Sequence, residues 1–202
     1  MRVLILMGKT GAGHAASAVA LRSAFEQRFC QSVQVSIVDI LGDHLPRPLR
    51  RLPHTYPFLA NDAPWLWEKL WHTDIRHAHP LFAMASRASR PAIQRLLHEQ
   101  APDLIVSVHP LAQTMTVPAL TRLAEPPPFA TVVTDLISAH PLWFDPTVRR
   151  CYVASKESWD LAQSRGLQSS QLRQFGLPIR PEFVAPSPNR TSLRARLGLA
   201  PD

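Results

Sequence analysis

The first forty residues restrict the fold most. Arg2–Met7 (RVLILM) is an unbroken apolar run closed by Gly8, the pattern of a strand buried on both faces. From His14 to Phe29 apolar residues recur at near-helical spacing, at Val19, Leu21, Phe25 and Phe29. Val33–Ile40 (VQVSIVDI) is rich in β-branched residues and reads as a second strand. Strand, glycine turn, helix and strand make a βαβ unit. A helix rather than a hairpin joins its strands, so they lie parallel.

The alternation continues. Strands are expected at Asp103–Val108, Phe129–Thr134, Arg150–Ser155 and Gln171–Gly176, and helices at Leu81–Gln100, Leu111–Ala124 and Lys156–Arg165. The expected class is α/β, a doubly wound Rossmann-like parallel sheet. Its domain spans 1–176; residues 177–202 read as a linker (GLPIRPEFVAPSP) and the first helix of a further domain. The regular pattern breaks from Leu41 to Pro80, where five prolines precede Trp65, Trp67 and Trp71.

The glycine turn, MGKTGAGHAASA, invites three readings. A phosphate-binding GKT loop needs a glycine four residues before its G-K pair, and that position is Val3. A dinucleotide fingerprint needs a middle glycine where Thr10 stands, with Asp39 as a weak ribose acid. Neither fits. The physical content that remains is a sharp turn at Gly11 and Gly13 that admits a ligand to the start of a helix. His14 lies in the first turn of that helix. The positive helix end disfavours imidazolium, so His14 is expected neutral and able to accept a proton.

Doubly wound sheets carry their sites at the carboxyl ends of strands. His109 falls just past the third strand. Thr134 and Asp135 fall just past the fourth, with His140 and Trp143 in the loop beyond. With His14 they form an expected acid/base cluster, in which His14 or Asp135 takes the proton. His77 and His79, two apart, cannot share a helix face, and no metal site is expected.

Cys30 and Cys151 stand apart without zinc spacing, as suits a reducing intracellular setting. The first apolar run is too short for a signal peptide, and none approaches the ~20 residues of a membrane span. The formal net charge is +7, with only three lysines, Lys9, Lys69 and Lys156. Such a balance suits anionic partners, nucleic acid or an acidic membrane surface. No recognisable nucleic-acid motif accompanies it, so nucleic acid ranks last.

TGAGHAASAVALRSAF, VDILGDHLP, PDLIVSVHPLAQTMTVPAL, VVTDLISAHPLWF, CYVAS and FGLPIRPEF together resemble the N-terminal domain of monogalactosyldiacylglycerol synthases and their bacterial processive diacylglycerol glucosyltransferase kin. A more distant likeness is to the peptidoglycan enzyme that glycosylates the undecaprenyl lipid intermediate. The resemblance implies the N-terminal half of a GT-B fold, which takes the lipid acceptor diacylglycerol. A C-terminal domain outside this chain takes the UDP-sugar. It also implies inversion at the anomeric carbon without metal or cofactor. His14 matches the family's proposed catalytic base, Thr134 and Asp135 its T-D strand end, and His140 to Trp143 its HP-x-W loop. Gly11, Ala12, Gly13, His109, Thr134, His140 and Trp143 are the expected acceptor-binding residues. Ala12 stands where the plant branch usually has glycine, and it fits only with a negative φ.

Under this resemblance residues 44–80 read as a membrane-interface segment. Arg47, Arg50 and Arg51, with Trp65, Trp67 and Trp71, supply its cations and aromatics. Trp65 and Trp67, two apart, cannot both face inward on a helix. The expected location is cytoplasmic, peripheral to the inner face of the plasma membrane. The competing function is a stand-alone, non-catalytic lipid-binding module that lacks a donor domain.

Overall fold

The computed structural model describes residues 1–47, 50, 61–63, 65, 75–184 and 189–200, with the backbone alone for 75–82. Six parallel strands form one sheet: β1 (Arg2–Met7), β2 (Gln34–Asp39), β3 (Leu104–Ser107), β4 (Phe129–Val132), β5 (Arg150–Val153) and β6 (Leu172–Gln174). Their spatial order is β2-β1-β3-β4-β5-β6. In register, Arg2 to Met7 pair with Gln34 to Asp39, and Val3 to Leu6 pair with Leu104 to Ser107. The helices are α1 (Ala12–Phe29), α2 (Ile75–Gln100), α3 (Pro110–Leu120), α4 (Lys156–Ser164) and α5 (Arg190–Arg196).

The apolar run of β1 is continuous because both its faces are covered. Val3 and Ile5 pack with Ala18, Leu21 and Phe25 of α1. Leu4 and Leu6 pack with Ile93 and Leu96 of α2 and Ala112 and Met115 of α3. All four β1 residues are buried. Each such burial stabilises the fold by roughly 1.5–3 kcal/mol. The chain leaves β1 to one side for β2 and returns to the other side for β3. The reversal opens a crevice at the carboxyl ends of β1 and β3.

Element boundaries shift from expectation for identifiable reasons. β4 stops at Val132, although Val133 N–H still donates to the Tyr152 carbonyl at 2.9 Å. Beyond that bond Thr134 and Asp135 turn into the crevice. Helix α2 begins at Ile75, six residues before the expected Leu81, and runs through Pro80. Pro80 falls in its second turn, where it forgoes one helical hydrogen bond and crowds the carbonyl four residues back. Helix α3 ends at Leu120, where the next N–H groups tighten onto the Ala119 and Leu120 carbonyls. Asp39, weighed above as a ribose acid, caps the turn after β2. Its Oδ1 accepts from Leu41 N–H at 3.1 Å and Gly42 N–H at 3.0 Å.

Candidate acceptor site

The crevice holds a cavity of about 440 Å³. Thr10, Gly11, Gly13 and His14, at the start of α1, form one wall. Thr134 and Asp135 form its base. The opposite wall is Leu177, Pro178, Ile179, Arg180 and Phe183. The segment expected to be only a linker therefore builds part of the cavity, with five of its thirteen lining residues. Ile179 and Phe183 are largely exposed, and the Arg180 guanidinium lies 4.9 Å from the centre of the Phe183 ring. The cavity has a polar base and an apolar wall.

The loop that presents His14 is fixed by packing. A Cβ on Gly8 would stand 2.5 Å from Leu41 Cδ1 and 3.0 Å from His109 Cδ2, so any larger residue must push a neighbour aside. Thr10 N–H then donates to the Gly8 carbonyl at 2.9 Å. Ala12 opens α1 without a positive φ, the condition its side chain sets.

His14 Nδ1 lies 2.8 Å from the Val108 carbonyl oxygen. A carbonyl only accepts, so Nδ1 carries the proton and Nε2 keeps its lone pair. Thr134 Oγ1, 3.1 Å from the same nitrogen, completes the clamp. Burial pulls the His14 imidazole below the usual histidine range. The Val108 bond and the Asp135 charge act the other way, more weakly. The neutral form expected from the helix end is thus also the form favoured by burial.

His109 and Trp143 stand behind the lining rather than in it; both are buried. His109 Nδ1 accepts from Leu111 N–H at 3.2 Å, capping α3. Its other nitrogen therefore donates, to Thr10 Oγ1 at 2.9 Å. Burial, then the neighbouring His14, hold His109 well below the usual range. Its ring sits 4.4 Å from that of His14, centre to centre. Trp143 donates its indole N–H to Asp135 Oδ2 at 2.6 Å. His140 caps the turn Pro141–Trp143, its Nδ1 accepting from Leu142 N–H at 3.2 Å. Ala12 and His140 are likewise outside the cavity wall.

Of the expected interface segment, Arg51, Trp67 and Trp71 lie outside the described residues. Trp65 is 68% exposed, as the two-residue spacing requires of one of the pair. Arg47 is exposed. Arg50 turns back on its own loop, donating to the carbonyls of Leu45 at 2.6 Å and Asp43 at 2.7 Å. Among the described residues no helix is long and apolar enough to cross a membrane, and no group of three acidic, histidine or cysteine side chains could hold a metal.

The family model for monogalactosyldiacylglycerol (MGDG) synthase matches residues 14–179. The chain belongs to this family. It is 43% identical over 202 residues to monogalactosyldiacylglycerol synthase 1 of Arabidopsis thaliana, and 42% identical to the synthase of Spinacia oleracea. Each match covers 98% of this chain and 38% of the relative, so the chain spans well under half of those family members. Both relatives are named chloroplastic; they lend no support to a plasma-membrane location.

Solved structures bear out the expected fold, a Rossmann-like half of the GT-B architecture. Anabaena Alr3699/HepE in complex with UDP-glucose superposes with a TM-score of 0.51 at 16% identity, over 98% of this chain and 50% of that one. The S. aureus MnaA–UDP structure gives 0.52 at 12% identity, over 98% and 51%. The wall from Leu177 to Phe183 escaped the composition-based reading, because proline and glycine there resemble a spacer. The signal was nevertheless present: FGLPIRPEF is among the stretches that carry the resemblance, and the family match reaches Ile179.

Proposed function

We propose that this MGDG synthase family chain is the acceptor-binding half of an inverting glycosyltransferase. The full enzyme moves a hexose from a UDP-sugar to the sn-3 hydroxyl of diacylglycerol, making a glycolipid. The observation that carries the reading is the orientation of His14. With Nδ1–H held by the Val108 carbonyl at 2.8 Å, Nε2 is the basic atom of a side chain that lines the cavity.

In this reading Nε2 takes the proton of the glycerol hydroxyl as its oxygen attacks the anomeric carbon opposite the departing UDP. The Asp135 charge stabilises the imidazolium that forms, and Asp135 is the second candidate for the base itself. Gly11 and Gly13 let the glycerol backbone approach. The apolar wall from Leu177 to Phe183 takes the first carbons of the acyl chains. Thr134 holds the imidazole, while His109, His140 and Trp143 support the lining from behind. UDP-sugar binds on a C-terminal domain, no metal or cofactor takes part, and the protein works peripherally on an anionic membrane through Arg47, Arg50, Arg51, Trp65, Trp67 and Trp71.

The test is turnover of the natural full-length protein with radiolabelled UDP-galactose or UDP-glucose and diacylglycerol in mixed micelles. His14→Ala is expected to lower kcat roughly 10²–10⁴-fold, the usual share of general base catalysis, with the KM for UDP-sugar unchanged. Near-normal turnover removes His14 from the role.

A further inference from the structure

We propose that Gln113 is a positioning residue of this site: through Trp143 it fixes the carboxylate of Asp135. The inference rests on the reading above, in which Asp135 acts at the cavity.

Gln113 lies on α3 and is 1% exposed. A buried carboxamide must satisfy both its ends. Its Nε2–H donates to the carbonyl of Trp143 at 3.0 Å. That oxygen can only accept, which settles how the amide lies. Its Oε1 must then accept, and it does so from the hydroxyl of Thr131 in β4, itself fully buried. Trp143, also fully buried, passes the constraint on by donating its indole N–H to Asp135 Oδ2 at 2.6 Å.

The path from Thr131 through Gln113 and Trp143 to Asp135 is therefore continuous, and its donors and acceptors can be arranged in one sense only. Its final bond is to a carboxylate, the stronger kind. Packing alone does not ask for an amide here, since methionine would fill a similar volume and need no partners. The indole held this way also stands beside the base, its ring centre 6.0 Å from that of His14.

Without the amide, the Pro141–Trp143 turn loses its tie to α3. The indole N–H drifts from Oδ2, and the carboxylate loses the donor that orients it. In the natural full-length protein, Gln113→Met and Thr131→Val are expected to lower kcat roughly tenfold to hundredfold, the scale of an ångström of misplacement. The KM for UDP-sugar stays unchanged. Thr131→Ser, which keeps the hydroxyl, restores kcat.

A second readout needs no turnover. In ¹⁵N spectra of the 202-residue chain, the Trp143 indole resonance is assigned by its loss in Trp143→Phe. Asp135→Asn displaces it in the parent background and no longer displaces it in Gln113→Met. If Gln113→Met does not fold, the Thr131 Val and Ser pair carries the same comparison. Parent-like kcat and indole response in Gln113→Met, or identical behaviour of the Thr131 pair, overturns the proposal. An uncoupled indole with Asp135→Asn fully active leaves the relay standing and removes Asp135 from the chemistry.

Discussion

The site depends on which nitrogen of each imidazole carries a proton. His14 is fixed by the Val108 carbonyl and His109 by the Leu111 N–H, and their tautomers are opposite. Burial favours the neutral form of both, together with His140. The unfolded chain binds these protons near pH 6.5, whereas the folded chain refuses them until lower pH. Stability is therefore fully present above about pH 6.5 and lost as pH falls below it. For the buried His109 alone the slope is about 1.4 kcal/mol per pH unit within that window. Urea unfolding at pH 7.5 and 5.5 measures it. His109→Gln, which retains a donor for Thr10, is expected to flatten the dependence; an unchanged slope contradicts this account of His109. Sequence placed His109, Thr134 and Asp135 just past strand ends and His14 in the first turn of α1, where the structure has them, because strand ends follow from hydrophobic runs. It could not tell lining from backing. Burial of His109 and Trp143 depends on contacts with residues distant in sequence, Thr10 and Gln113, which no local pattern displays.

At the scale of elements, the glycine turn converts β1 into a site. Gly8 is pinched between Leu41 and His109, so Gly8→Ala must push one of them aside. Overpacking of this kind costs roughly 1–3 kcal/mol. We expect denaturant unfolding to show that loss, and the full-length protein to lose turnover as the His109 ring moves off Thr10. A variant of parent stability would mean that the turn is more yielding than its packing indicates. The βαβ start was legible because a strand covered on both faces must be apolar throughout. Helix α2 was less so, since Pro80 was read as the end of the irregular stretch yet lies within it. The Leu177–Phe183 wall was hidden for a related reason: it has no periodicity, and its exposed Ile179 and Phe183 face the cavity rather than a core.

At the scale of the whole molecule, a +7 chain presents a cavity with an apolar wall. In the proposed membrane reading, three or four interfacial cations, each contributing on the order of 1 kcal/mol, give weak and salt-sensitive attachment. Flotation should recover the protein with phosphatidylglycerol vesicles at low ionic strength. It should release the protein at 0.5 M salt, where charges more than about 5 Å apart are screened. Equal recovery with phosphatidylcholine would contradict the electrostatic part of the account. The central claim is that diacylglycerol enters the cavity between the start of α1 and the segment from Leu177 to Phe183. The most direct measurement is cross-linking of the natural full-length protein with a diacylglycerol carrying a photoreactive group near its glycerol, mapped by mass spectrometry. The account predicts adducts on Leu177–Phe183 and on Gly11–His14, suppressed by unlabelled diacylglycerol. Adducts confined to other surfaces, or insensitive to that competitor, would contradict it.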